Sequence, residues 1–134
     1  MSARYLLLLG STRSDDGHVR AALHDLANLG AVKLCAPIQH GPGSRDPRRM
    51  YFNALAELEF DGEAAALVAA LKAIEAGLGR QRGSAEVAID IDLLARWVDA
   101  RWLADPHALA KGEFVQAHTR ALLGAADIDI DGVI

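Results

Sequence analysis

The stretch Ile89, Asp90, Ile91, Asp92, Leu93 constrains this chain more than any other. Its alternation has the two-residue period of a β-strand, where successive side chains point to opposite faces. Asp90 and Asp92 then share one face, and Ile89, Ile91 and Leu93 share the other. Two carboxylates side by side repel, and burying them unpaired is costly. The pattern leaves two readings open. One is an edge strand with a solvated polar face. The other is a site for a hard divalent cation such as Mg²⁺, which accepts one or two carboxylates and takes its other ligands from water and phosphate oxygens.

The rest of the chain builds an α+β order around that strand. Tyr5 to Leu9 is a short apolar run closed by Gly10, and its length predicts a buried strand. Ser14, Asp15 and Asp16 offer N-cap chemistry, Val19, Ala22, Leu23 and Leu26 follow at helical spacing, and Gly30 ends that helix. Ala31 to Gln39 reads as a second strand, His40 to Arg49 as a loop with two Gly and two Pro, and Tyr51 to Phe60 as a third strand, although its Ala and Glu content suits a helix as well. Asp61 to Glu63 opens the clearest helix, with Leu67, Ala70, Leu71, Ile74 and Leu78 on one face. Arg80 to Glu86 is a polar loop, and Val87 to Leu94 is the aspartate strand. A connection over Ala100 to Pro106 leads to a last helix over His107 to Leu123, and the tail reads as a final strand or a frayed end. This β-α-β-β-α-β order, with an added C-terminal helix, predicts a ferredoxin-like antiparallel sheet with helices packed on one face. No repeat or linker divides the 134 residues, so a single domain over 1–134 is expected.

Bulk properties exclude several function classes. The net charge of −4 supplies no global field for nucleic acid or an anionic membrane. No apolar run approaches the ~20 residues of a membrane span. The one cysteine, Cys35, cannot form an internal disulfide, which fits a reducing compartment, and the expected location is cytoplasmic. The five histidines lack compact zinc spacing, and no glycine-rich nucleotide loop of the standard kinds occurs. Asp127, Asp129, Asp131 and Gly132 imitate the opening of an EF-hand loop. The chain ends at Ile134, before the required glutamate.

The ordered motifs resemble one family. Tyr5 to Leu9 runs into Gly10 and Ser11. Tyr51-Phe52-Asn53 opens a later strand. Glu75 precedes Gly79, Arg80 and Arg82. Asp90 and Asp92 are followed by Pro106, His107 and Phe114. This set is similar to the 6-hydroxymethyl-7,8-dihydropterin pyrophosphokinases, over about Ser2 to Val115. The resemblance implies transfer of pyrophosphate from ATP to the hydroxymethyl group of a reduced pterin, in folate biosynthesis, with release of AMP. It implies that two Mg²⁺ ions sit on Asp90 and Asp92, that Tyr51 and Phe114 sandwich the pterin, and that Asn53 reads its edge. It implies that Arg80, Arg82, His107 and Glu75 serve the ATP, the two arginines also acting in catalysis. The implied partners are these small molecules; charge and hydropathy predict no nucleic acid or membrane, and a monomer or homodimer is expected.

The chain also departs from that pattern. The loop before the aspartates is short and lacks the family's Trp and Arg, with Val87 where that Arg is expected. Thr12 replaces an Asn after Gly10 and Ser11. Gly112 or Glu113 stands near another family Arg, with Lys111 nearby. Arg45, Arg48 and Arg49 make the earlier loop more basic. Three expectations follow: a pyrophosphokinase with slow turnover, a paralogue that binds pterin or nucleotide without catalysis, or a ferredoxin-like domain with no small-molecule role.

Overall fold

The computed structural model describes residues 2–43, 47–81 and 83–133. β1 (Ala3–Ser11) is the organising element. It pairs antiparallel with β4 (Met50–Phe60) on one side and with β5 (Asp90–Val98) on the other. Its leucines face both ways. Leu7 and Leu9 join Ala54, Ile89, Ile91 and Leu93 in one apolar cluster, and Leu6 and Leu8 join Leu55, Leu94 and Phe114 in another. A strand paired on both edges and covered on both faces needs such a continuous apolar run.

The α+β class holds. Among the described residues the sheet has the order β2-β4-β1-β5-β6-β7, with β3 also paired to β4. The four strands expected around the helices therefore lie in the order second, third, first, fourth, which is compatible with a ferredoxin-like arrangement. The first cluster is covered by α1 (Gly17–Leu26) and α2 (Ala64–Gly77). The second is covered by the C-terminal segment, so helices pack on both faces rather than one.

Four local readings are corrected. The expected second strand is split into β2 (Val32–Leu34) and β3 (Gln39–Pro42). Pro37 lies between them, and a proline has no N–H to carry a ladder onward. The expected loop from His40 thus begins inside β3. The connection over Ala100 to Pro106 contains β6 (Arg101–Ala104), joined to β5 by a two-residue turn in which Asp99 and Ala100 both have positive φ, 51° and 63°. Such a turn matches the twist of the strands it joins. The long last helix is broken into α3 (Pro106–Ala110), a 3-10 turn (Glu113–Val115) and α4 (Ala117–Ala125), because Gly112 at φ 75° ends α3 in the left-handed conformation. Asp15, not the helix-flanking Asp16, accepts from the first N–H of α1, Gly17, at 2.9 Å. The acidic tail forms β7 (Ile130–Asp131), parallel to β6, with Asp131 paired to Arg101. Among the described residues no helix is long and apolar enough to cross a membrane.

A break in register shapes the aspartate strand. Between Leu6 and Leu7 the β1–β5 pairing shifts, so Leu94 has no partner on β1, and Leu94 and Ala95 both fall in the second cluster. This is a β-bulge, one extra residue opposite the partner strand. The Leu94 carbonyl accepts from the Asp105 N–H at 2.8 Å.

Candidate active site

Asp90 and Asp92 leave β5 on the face opposite Ile89, Ile91 and Leu93, as alternation requires. Across the ladder they stand beside Gly10 and Leu8 of β1, and Gly10 in turn stands beside Asn53 of β4. A methyl group on Gly10 would meet the Asn53 side-chain oxygen at 3.0 Å. The absent side chain therefore keeps a gap open between the carboxylate and the amide.

Two cavities meet at the aspartates. The smaller, about 160 Å³, is lined by Gly10, Tyr51, Asn53, Val87, Gln116 and His118 among others. The larger, about 600 Å³, runs along α2 and α3 past Val68, Lys72, Glu75, Asp105 and His107. Asp90, Asp92, Lys111 and Glu113 line both. A ligand in one cavity and a ligand in the other would thus meet over the same carboxylates.

The electrostatics follow from this crowding. Burial, then Asp92, then Glu75 oppose ionisation of Asp90, whose pKa is pushed up to about 8. Lys111 Nζ lies 3.2 Å from Asp92 Oδ1. Burial pushes His118 down, against the pull of Asp92. Glu75 and Glu113 are 4% and 5% exposed, carboxylates that need partners at that depth. The Glu75 Oε2 accepts from the Ile91 N–H at 2.8 Å. That N–H is on the edge of β5 away from β1, where β6 pairs only from Ala95 onward. Glu75 therefore closes the open edge of the aspartate strand.

Three local devices fix the strand and its surroundings. The Ser11 hydroxyl, fully buried, donates to the Ala88 carbonyl at 2.7 Å. Thr12 exchanges two bonds with Val87, its N–H donating to the Val87 oxygen at 2.9 Å and its hydroxyl accepting from the Val87 N–H at 2.8 Å. The two hydroxyls pin the segment entering β5. On the far side, Asp105 caps α3 by accepting from His107 and Ala108 N–H groups at 3.1 Å, with Pro106 at the first helical position.

The residues expected to serve a site are distributed unevenly. Tyr51 and Asn53 line the smaller cavity with the aspartates, and Glu75 and His107 line the larger. Phe114 is buried in the second apolar cluster and is not among the residues lining the cavities. Arg80 lies just past α2, its N–H bonded to the Glu75 carbonyl at 2.9 Å, and it lines neither cavity. Arg82 and Arg45 lie outside the described residues. Gln116 and His118 line the smaller cavity without having been singled out in the sequence, since each sits alone in a segment read as plain helix.

The donor set fits a hard cation. Two carboxylates two residues apart, one of them resisting ionisation, gain from a divalent ion between them. No group of three His, Cys, Asp or Glu able to hold a metal occurs among the described residues, so the remaining ligands would be water and substrate oxygens.

Comparison with curated proteins gives no match. The sequence model of one family, 7,8-dihydro-6-hydroxymethylpterin-pyrophosphokinase, matches residues 6–123, which include most of β1, all of β4 and β5, and the helices α2 and α3 along the larger cavity. The chain belongs to the 7,8-dihydro-6-hydroxymethylpterin-pyrophosphokinase family.

Proposed function

We propose that this chain transfers pyrophosphate from ATP to the hydroxymethyl oxygen of 6-hydroxymethyl-7,8-dihydropterin, with Mg²⁺ held by Asp90 and Asp92 and AMP released. The family's reaction is pyrophosphoryl transfer from ATP in folate biosynthesis, and its substrates are small molecules. The observation that carries the residue assignments is the meeting of two cavities of different chemistry over one pair of carboxylates.

The smaller cavity suits a flat heterocycle. Tyr51 offers a ring face, and the Asn53 amide offers both a donor and an acceptor to a polar edge. Phe114, expected to close the sandwich, lies in the core beneath. The larger cavity suits the nucleotide, with Lys72 and His107 on its wall and Glu75 holding the strand that forms its floor. Bound there, Mg²⁺ would neutralise phosphate charge and template an in-line approach of the pterin hydroxyl. The protein's own contribution is positioning: two pockets fixed on one sheet bring hydroxyl and phosphate together.

Turnover is expected to be slow. An arginine placed on the transferring group is worth orders of magnitude in rate. Val87 stands where the family has such an arginine, and it lines the smaller cavity. The same observation supports a second reading, a paralogue that binds pterin or nucleotide without catalysis. The deciding experiment mixes the protein with ATP, Mg²⁺ and 6-hydroxymethyl-7,8-dihydropterin and follows AMP. Formation of AMP only when the pterin is present supports the transferase. No AMP, with both ligands bound by calorimetry, supports the binding paralogue. No binding of either ligand rejects both.

A further inference from the structure

We infer that Lys111 is a built-in counterion of the Asp90–Asp92 site: its ammonium occupies the place of a divalent cation until metal-bound nucleotide displaces it onto a phosphate oxygen. This rests on the metal reading above.

The geometry gives Lys111 a position unlike any other cation here. Asp90, Asp92 and Glu113 are the other three residues that line both cavities, so Lys111 is the single Lys or Arg at the junction among the described residues. Its Nζ is 3.2 Å from Asp92 Oδ1. The carboxylate side chain is 20% exposed and the lysine side chain 37%. The pair is thus partly screened from water but open on one side. The ammonium has three donors and no acceptor, and sits on a flexible four-carbon stem. It can leave one oxygen and reach another without movement of the backbone.

The backbone is meanwhile held. Lys111 is the C-cap of α3, and its N–H bonds the His107 carbonyl at 3.0 Å. α3 is fixed at its other end by the Asp105 cap, and Asp105 by the Leu94 carbonyl. The anchor of the lysine is therefore tied, through Asp105, to Leu94 of the same strand that carries the aspartates, two residues beyond Asp92.

The charge balance then dictates an order of events. With no ligand, Asp92 is satisfied by Lys111. A bare metal ion must break the Lys111–Asp92 ion pair and sit beside the ammonium it repels, so metal alone binds more weakly than it would without the lysine. Nucleotide phosphates change that balance, because they supply an anionic partner for the displaced ammonium as the metal takes the carboxylates. Metal and nucleotide are therefore expected to bind cooperatively, and the lysine adds to the coupling that phosphate ligation of the metal itself supplies. The side chain acts as a positioning group toward the metal and as a direct contact to phosphate.

The test is calorimetry with Mg²⁺ alone, and with Mg²⁺ plus a non-hydrolysable ATP analogue, on wild type, Lys111→Met and Lys111→Arg. Lys111→Met keeps the stem and removes the charge. Relief of a competing ion pair of about 1 kcal/mol should tighten Mg²⁺ alone roughly fivefold. The same variant should bind the Mg²⁺–analogue complex more weakly than wild type. Lys111→Arg keeps the charge and should leave Mg²⁺ alone no tighter than wild type. If Lys111→Met leaves the affinity for Mg²⁺ alone unchanged or weaker, the counterion role is wrong. Lys111→Gln repeats the charge removal if the Met variant does not fold, and is read by the same criteria. Asp92→Asn separates the two levels. If it binds Mg²⁺ as wild type does, the metal assignment itself fails. If it loses Mg²⁺ while Lys111→Met shows no tightening, only the counterion role fails.

Discussion

At Asp90 the surroundings oppose charge from three sides: burial first, then Asp92 and Glu75. Its pKa rises from 3.8 to about 8 in the folded chain, so across that interval the folded state keeps a proton that the unfolded state gives up. Stability should therefore fall as pH rises between these values and level off above them. Asp90→Asn removes the titration. Relative to wild type, the variant should gain stability with rising pH, by at most about 1.4 kcal/mol per pH unit. Urea denaturation of both proteins across this range checks it, and a constant difference would mean that Asp90 ionises freely. Asn53 is the second residue with a defined cost. Its amide is 5% exposed and turned toward the smaller cavity. Asn53→Ala should weaken pterin binding by about 1–3 kcal/mol, because a buried polar edge loses its partner. Fluorescence titration with the pterin measures it, and equal affinities would remove Asn53 from the site. Gly10→Ala should weaken the same binding without removing a polar group, since its methyl would crowd the Asn53 oxygen.

At the scale of elements, the apolar run of β1, the aspartate alternation and the Leu67–Leu71 face of α2 were all legible, because each keeps one period long enough to be read. What was not legible depended on partners distant in sequence. β6 looked like a connection because its strand character comes from pairing with Ala95 to Val98, not from its own composition. Glu75 was noticed through family resemblance, yet its bond to the Ile91 N–H arises only once α2 crosses an unpaired strand edge. Lys111 and His118 belong to a segment whose break at Gly112 was missed, so their approach to Asp92 was hidden. The β5–β6 turn supplies a test at this scale. Ala100 takes a φ of 63°, where a side chain is strained. Ala100→Gly should stabilise the protein by about 1 kcal/mol, read as a higher urea midpoint with an unchanged slope.

For the molecule as a whole, β1 belongs to both apolar clusters at once. Losing packing on either face should therefore loosen the same strand. Leu7→Ala and Leu8→Ala, on opposite faces, should each cost about 2–5 kcal/mol. In both variants circular dichroism and tryptophan fluorescence should follow one coincident transition. Trp97 and Trp102 report the second cluster directly, their rings 5.1 Å apart. A fluorescence change that separates from the loss of helix in Leu7→Ala would show that the two faces unfold independently.

The bulge at Leu94 separates two properties that a regular strand would tie together. Because Leu94 and Ala95 lie on one face, removing Leu94 would leave Asp90 and Asp92 facing as they do now, and Trp97 likewise. What would go is the carbonyl that receives the Asp105 N–H, and with it the mooring of the helix that ends in Lys111. The direction in which the carboxylates point and the tether of the lysine are thus written in different residues. Deletion of that single residue should alter how firmly the lysine is moored while the acidic pair stays in place.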